Sequence, residues 1–265
     1  MNTVVDAAFN LMMLMADGAG ALAFGAFGSN PPTLAKTSPV DVVTEIDHVA
    51  ENLIVSAIRE RFPGHEIFAE ESGINPGTTR WTWLIDALDG THNFAIGLPL
   101  YGLSMLLLYD CKPKLALVQD SHLSRQLIVT ADGIRQTSGN FHVKEPSASG
   151  LVTVALQQGY AVRRSDVALS SIRNQMENAF CRVLYTWSPA IDMLLLASGV
   201  LGGVVGYQCS GPEHEAAKFV GQQIGCIIHT VSAVHCASSP YIYILAWPEV
   251  ADRLMPIVIG NATTA

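Results

Sequence analysis

The sequence predicts an α/β protein of two packed halves, an α+β half over 1–140 and an α/β half over 141–265. Three observations predict it. Two apolar-periodic helical stretches open the chain, β-prone runs follow, and beyond Ser149 strands alternate with helices. The 265 residues are 49% hydrophobic and 14% charged, enough apolar material for a sizeable core and too much for a disordered chain.

Taken in order, "AAFNLMMLMADGAGALAFGAF" is apolar enough to suggest a signal peptide or membrane span. It begins after Asp6 with no basic lead-in and carries Asp17 and several glycines, so a buried amphipathic helix is expected. The Gly, Ser, Asn and Pro residues of "GSNPPTLAKTSPVD" mark a loop. In "VTEIDHVAENLIVSAIRERFPGH", Ile46, Val49, Leu53 and Ala57 recur with helical spacing, Thr44 and Asp47 make a helix start, and Pro63-Gly64 stops it. "EIFAEESG" reads as a strand entering an acidic turn, and "WTWLI" as a central strand. "YGLSMLLLYD" and "KPKLALVQD" read as an antiparallel pair joined by a Cys-Lys-Pro turn, and "ADGIRQTSGNF" as loop. A soft boundary at 141–149 precedes the strand "SGLVTVALQ". The helices "SDVALSSIRNQMENAF", "SPAIDMLLLASGVL" and "EHEAAKFVGQQIG" follow, and then the strand "IYILAW".

The formal charge of −8 and the lack of any Lys/Arg run argue against a nucleic-acid partner. Five cysteines (Cys111, Cys181, Cys209, Cys226, Cys236) form no CxxC pair and are odd in number, which fits reduced structural thiols in a cytoplasmic protein. No membrane partner is expected.

The densest polar cluster is "LIDALDGTHNF", Leu84 to Phe94. An aspartate directly after an apolar strand is costly unless it binds a cation. In "DALD" a tight turn can bring Asp86, Asp89 and the Leu88 carbonyl onto one ion, in the all-oxygen coordination that Mg²⁺ prefers, and Glu70 can complete it. Gly90-Thr91 lets backbone approach closely, and a helix beginning there would offer free N–H groups to an anion. Bound cations would also reverse the field of an acidic pocket, so that a phosphate could enter. Each acid also has a plainer reading: Asp47 as a capping-box carboxylate, Glu70-Glu71 as a solvated loop, Asp86 as a turn former.

Three collinear motifs sharpen this: "KTSPVDVVTEID" (Lys36 to Asp47), "FAEESG" (Phe68 to Gly73) and "WLIDALDGTHNF" (Trp83 to Phe94). Together they resemble the inositol monophosphatase family of metal-dependent phosphomonoesterases. The resemblance implies a layered αβαβα sandwich, usually dimeric, that uses two or three Mg²⁺ ions on a small phosphorylated metabolite. It implies that Glu70, Asp86, the Leu88 carbonyl and Asp89 ligate metal. Thr91 and Asp47 would position and deprotonate the attacking water alongside Glu70, and Asp89, Gly90, Thr91 and His92 would contact the phosphate.

The C-terminal signature departs from the family. Its Trp-Asp is replaced by Glu213 and His214 in "SGPEHEAAKFVGQQIG". An imidazole ligates Mn²⁺ or Zn²⁺ better than Mg²⁺. His214 is read as a ligand of the second metal, with direct substrate contact and helix capping as alternatives; Glu213 is read as a substrate contact or as the ligand in its place. Trp187 stands where the family has a small residue, and Gly206 where it has an acid. That argues for a flatter or less hydroxylated alcohol, or a nucleotide, though Trp187 fits the core equally well. "HEAAK" lacks the second histidine of a zinc protease, "GVLGGVVG" lacks the acidic partner of a dinucleotide fingerprint, and His229 and His235 have no ligand neighbours. The expectation is a Mg²⁺- or Mn²⁺-dependent phosphatase. A catalytically weakened homologue that binds a phosphorylated metabolite or a partner protein is the alternative.

Overall fold

In the first helix, α1 (Asn2–Ala26), residues Ala8, Met12, Met15, Ala16, Ala19 and Ala23 turn inward, a spacing of three and four that makes one stripe. By length and composition this helix could cross a membrane, yet its stripe packs into the protein's own core beside α2 (Glu45–Arg61). The computed structural model describes residues 2–38, 41–147, 151–163, 165–232 and 241–262. Cys236, His235 and Ser149 of the boundary stretch lie outside them.

Two sheets carry the fold. The larger has seven strands in the order β4 (Gly73–Asn75), β3 (Glu66–Ala69), β5 (Trp81–Asp89), β6 (Gly102–Tyr109), β7 (Lys112–Asp120), β8 (Arg125–Thr130) and β9 (Gly133–Ser138). The smaller has five, β11 (Arg182–Leu184), β10 (Thr153–Gln158), β12 (Gly203–Tyr207), β14 (Tyr241–Ala246) and β13 (Ile227–Ser232). Strand alternation assigns each face of a sheet to a separate core. Trp83, Ile85, Leu103, Met105 and Leu117 face α1 and α2, whereas Leu106, Ala116 and Val118 face α5 (Pro189–Ala197) and α6 (Pro212–Gln223). On the second sheet, Ala155, Val204 and Leu245 face the same two helices, while Val154, Val205 and Ile244 face α4 (Val167–Ala179) and α7 (Pro248–Ala262). The layers therefore run helix, sheet, helix, sheet, helix, as the resemblance implied.

Several elements differ from the sequence reading. The stretch read as a loop before α2 contains the hairpin β1 (Leu34–Ser38) and β2 (Asp41–Val43), whose short strands give no readable period. β9 lies in "ADGIRQTSGNF", an edge strand with no buried side chain and therefore little apolar signal. The β6–β7 turn is Asp110-Cys111, both at positive φ (49° and 57°), with Lys112 and Pro113 already paired in the strand. Two such residues suit the right-handed twist of a hairpin. α7, which contains Pro256, was not read at all.

Candidate active site

Topology brings the acids together. β3 and β5 run parallel with Ala69 opposite Ile85, so the next residues, Glu70 and Asp86, emerge side by side at the carboxyl ends of the two strands. The Glu70 N–H still donates to the Ile85 carbonyl at 3.1 Å. Carboxyl ends of parallel strands are where α/β sheets bind ligands.

Asp86 and Asp89, three apart in a regular strand, would point to opposite faces. A bulge prevents this: Asp86 pairs with Ser104 and Asp89 with Gly102, so three steps on β5 match two on β6. The extra residue returns Asp89 to the face of Asp86. Gly90 then takes φ +82°, and a Cβ there would stand 2.8 Å from the Leu100 carbonyl oxygen. Only glycine fits both demands. The short helix α3 (Thr91–Ala95) follows, tied down by Asn93, whose Nδ2 donates to the carbonyls of Leu100 (2.8 Å) and Thr186 (2.7 Å).

Glu70, Asp86, Leu88, Asp89, Gly90, Thr91, Trp187, Glu213 and His214 all line one cavity of about 260 Å³. Its size suits a small metabolite. His92 is exposed and outside that lining, so of this residue only the backbone belongs to the first turn of α3. Burial and the nearby charges of Glu70, Asp89 and Glu213 push the Asp86 carboxyl up. Asp89 is pushed up to about 7, chiefly by burial, against its hydrogen bonds from Ser188 and the Ala190 N–H. Glu213 is raised by burial and by Glu70 and Asp89. Lys36 answers part of this charge, its ammonium donating to Glu70 Oε1 at 2.8 Å and Glu71 Oε1 at 2.5 Å. Ser188 Oγ (2.7 Å) and Ala190 N (2.5 Å) both donate to Asp89 Oδ2. Among the described residues no three acidic or imidazole side chains already form a ligating group. The donor set is nonetheless all oxygen and anionic, with carboxylates held in mutual repulsion, and that chemistry fits a hard divalent cation.

Asp47 unites its two readings. Its Oδ2 accepts from Thr44 N at 2.8 Å and Thr44 Oγ1 at 2.5 Å, closing the cap of α2, while Oδ1 accepts from Thr91 Oγ1 at 2.6 Å. Burial raises this carboxyl, and the two threonines pull it back.

The replaced signature has its own logic. Gly206 has no side chain because the Tyr243 ring fills the space; a Cβ would lie 2.1 Å from that ring. The Tyr243 hydroxyl donates to Gln157 Oε1 at 2.7 Å, and Gln157 Nε2 donates to Asp192 Oδ2 at 2.7 Å. With its proton so used, Tyr243 accepts from His214 Nδ1 at 2.8 Å. This fixes the tautomer with the proton on Nδ1 and leaves the Nε2 lone pair, 3.3 Å from Glu213 Oε1. Burial lowers His214 to about 3, so the ring is neutral. Glu213 folds back over Gly211, where a Cβ would meet its carboxylate at 2.3 Å. His229 is half-buried on β13, outside the cavity lining.

The profile of the inositol monophosphatase family matches residues 5–231. The chain belongs to that family. Nus factor SuhB of Escherichia coli K12 is 27% identical over 198 residues, 74% of each chain. Human inositol monophosphatase 2 is 46% identical over 74 residues, 26% of each chain. Among solved structures, an inositol monophosphatase (IMPase) from Thermotoga maritima superposes with a TM-score of 0.79 at 24% identity, covering 100% of this chain and 99% of that one. The extragenic suppressor protein suhB from Bartonella henselae gives 0.81 at 17% identity, covering 95% and 98%. Identities this low carry the fold alone. Family membership supports phosphatase activity on small phosphorylated substrates in general, and the family is generally Mg²⁺-dependent.

Several residues of the inositol monophosphatase site escaped sequence reasoning. Ser188 stands at the N-cap of α5, yet its hydroxyl makes no cap hydrogen bond and goes to Asp89, a role its lack of a nucleophile context did not suggest. Gln157, Asn93 and Tyr243 are apolar-strand or helix residues by pattern and act only through long-range partners. Lys36 sat in a quoted motif without a role.

Proposed function

We propose that this protein is a divalent-cation-dependent phosphatase of small phosphate monoesters. One observation carries the reading: the β5 bulge aligns Asp86 and Asp89 beside Glu70, within one cavity that Thr91 also lines. Glu70, Asp86, the Leu88 carbonyl and Asp89 would hold Mg²⁺ or Mn²⁺, two or three ions in all. Glu213 and the His214 Nε2 lone pair would serve the second-cation side. Such cations, when bound, neutralise phosphoryl charge and lower the pKa of water.

The chain's own groups orient the reaction. Thr91 Oγ1 carries one proton and an ionised Asp47 can only accept it, so the threonine lone pairs remain to accept a hydrogen bond from the attacking water and orient it. Glu70, with Asp47 behind Thr91, takes the water's proton as the water oxygen bonds to phosphorus. The bond from phosphorus to the alcohol oxygen breaks in line with its electron pair on that oxygen, which takes a proton from bulk water and leaves as the alcohol. First-turn N–H groups at Gly90, Thr91 and His92 would receive phosphate oxygens, because they have no intrahelical acceptor. The reading takes the protein to be a cytoplasmic homodimer, with the inward stripe of α1 packed in its own core.

Phosphate release from a panel of monoesters, with Mg²⁺ and Mn²⁺ compared, tests the reading. Glu70→Ala and Asp86→Asn should each lower turnover by at least about a hundredfold. Equal turnover in both variants would end it. A second reading is a repurposed homologue that binds a phosphorylated metabolite or a partner protein. Relatives that carry the name Nus factor, and the Glu213-His214 replacement, favour it; those relatives also leave the expectation of no nucleic-acid partner without support. Metal-dependent ligand binding with no turnover is its expected result.

A further inference from the structure

Trp187 is 38% exposed, lines the cavity and holds φ +55°, a left-handed conformation that costs a bulky residue about 1–3 kcal/mol. Glycine would adopt it without strain. Nor is the indole packed in the core: its partner is Tyr160, itself 41% exposed, with ring centroids 5.9 Å apart and planes 21° from parallel. The two rings come from separate segments, one after β10 and the other leading into α5. Tyr160 lines the same cavity as Glu70, Asp86, Asp89 and Glu213. The aromatic wall therefore begins where the carboxylate site ends.

We infer that the Tyr160–Trp187 pair is a stacking platform for the leaving group, and that the substrate is a phosphate monoester whose alcohol carries a flat heteroaromatic ring. This rests on the phosphatase reading of the same site. Every base or nucleoside offers a π-face to such a pair, whereas a small polyol offers none. Gln158, Gln208 and Ser210 line the same cavity and supply amide and hydroxyl groups that suit the edge of a heterocycle. No Lys or Arg lines it among the described residues, so a second phosphate on the alcohol would find no counter-charge. The platform is thus matched to a nucleoside-like monoester rather than to a bisphosphate or an inositol phosphate.

Two measurements on the full-length protein with Mg²⁺ test it. The first is selectivity, the ratio of kcat/KM for a nucleoside monophosphate to that for glycerol phosphate or a hexose phosphate. In Trp187→Gly, which removes the ring and relaxes the backbone, this ratio should fall about tenfold, within the range for losing one base–aromatic stack. Tyr160→Ala, on the other segment, should lower it in the same direction. The second is quenching of indole fluorescence by the free nucleoside, which has no ester to hydrolyse. Trp81, Trp83 and Trp247 are buried, so quenching should report Trp187 and vanish in Trp187→Phe. An unchanged ratio in both variants, or quenching that persists without the indole, overturns the platform. If no monoester is turned over but the quenching depends on Trp187, the phosphatase reading fails and the platform stands.

Discussion

Asp192 lies at the buried end of the hydrogen-bond chain that starts at His214. It is 1% exposed, its Oδ1 has no partner, and burial pushes its carboxyl up to about 7 from an ordinary value near 3.8. Below about pH 4 both folded and unfolded states hold the proton, and above about 7 neither does. Between them the folded state keeps a proton that the unfolded chain has lost, so this group's contribution to stability falls as pH rises from about 4 to 7. The loss is on the order of 4 kcal/mol. Asp192→Asn keeps an acceptor for Gln157 and has no charge to bury. Urea unfolding at pH 5 and pH 7.5 should show a smaller decline for the variant than for the wild type; parallel declines would refute the assignment. This residue was legible only as a helix position in "SPAIDMLLLA". Its role needs Gln157 and Tyr243, which stand 35 and 51 residues away along the chain and so leave no local trace.

At the scale of elements, the bulge and the glycine turn after it decide the geometry. From Ile85 to Asp89 β5 shows no alternation, being buried throughout, so the pattern there marks a central strand and no face for either aspartate. The turn chemistry of Gly90 was readable, and its conformation agrees. Gly90→Ala would force a Cβ into left-handed backbone and against the Leu100 carbonyl, which should destabilise the protein by about 1–3 kcal/mol and displace Thr91 from Asp47. Thermal unfolding together with phosphate release checks this. A variant as stable and active as the wild type would mean that the turn does not position the site. α2 was read correctly from Thr44 and Asp47 because a capping box is a local device. The β1–β2 hairpin was not, since it carries Asp41 to the cavity and Lys36 to Glu70 through pairing that the sequence does not spell out.

At the scale of the molecule, the net charge of −8 is partly concentrated in one cavity, where Glu70, Asp86, Asp89 and Glu213 repel one another. A ligand that binds only the folded state adds stability by mass action, about 2.7 kcal/mol at a hundred times its Kd. For a chain of this size, saturating Mg²⁺ should raise Tm by about 5–10 °C over chelator-treated protein. Asp86→Asn should abolish that shift. It should also raise Tm without metal, because it removes a buried charge among like charges. Scanning both proteins with and without Mg²⁺ reads both effects, and a wild type indifferent to the ion would contradict the cation site.

The sequence by itself determined the acids, the glycine turn, the helix caps and the order of elements, because each is set by neighbours within a few residues. Family membership followed from three such motifs. Tertiary structure alone decided which carboxylates share a face, which nitrogen of His214 is left open, and that Trp187 is wall rather than core. Those outcomes depend on strand register and on contacts across the layers, where the burial of one side chain is settled by another far along the chain.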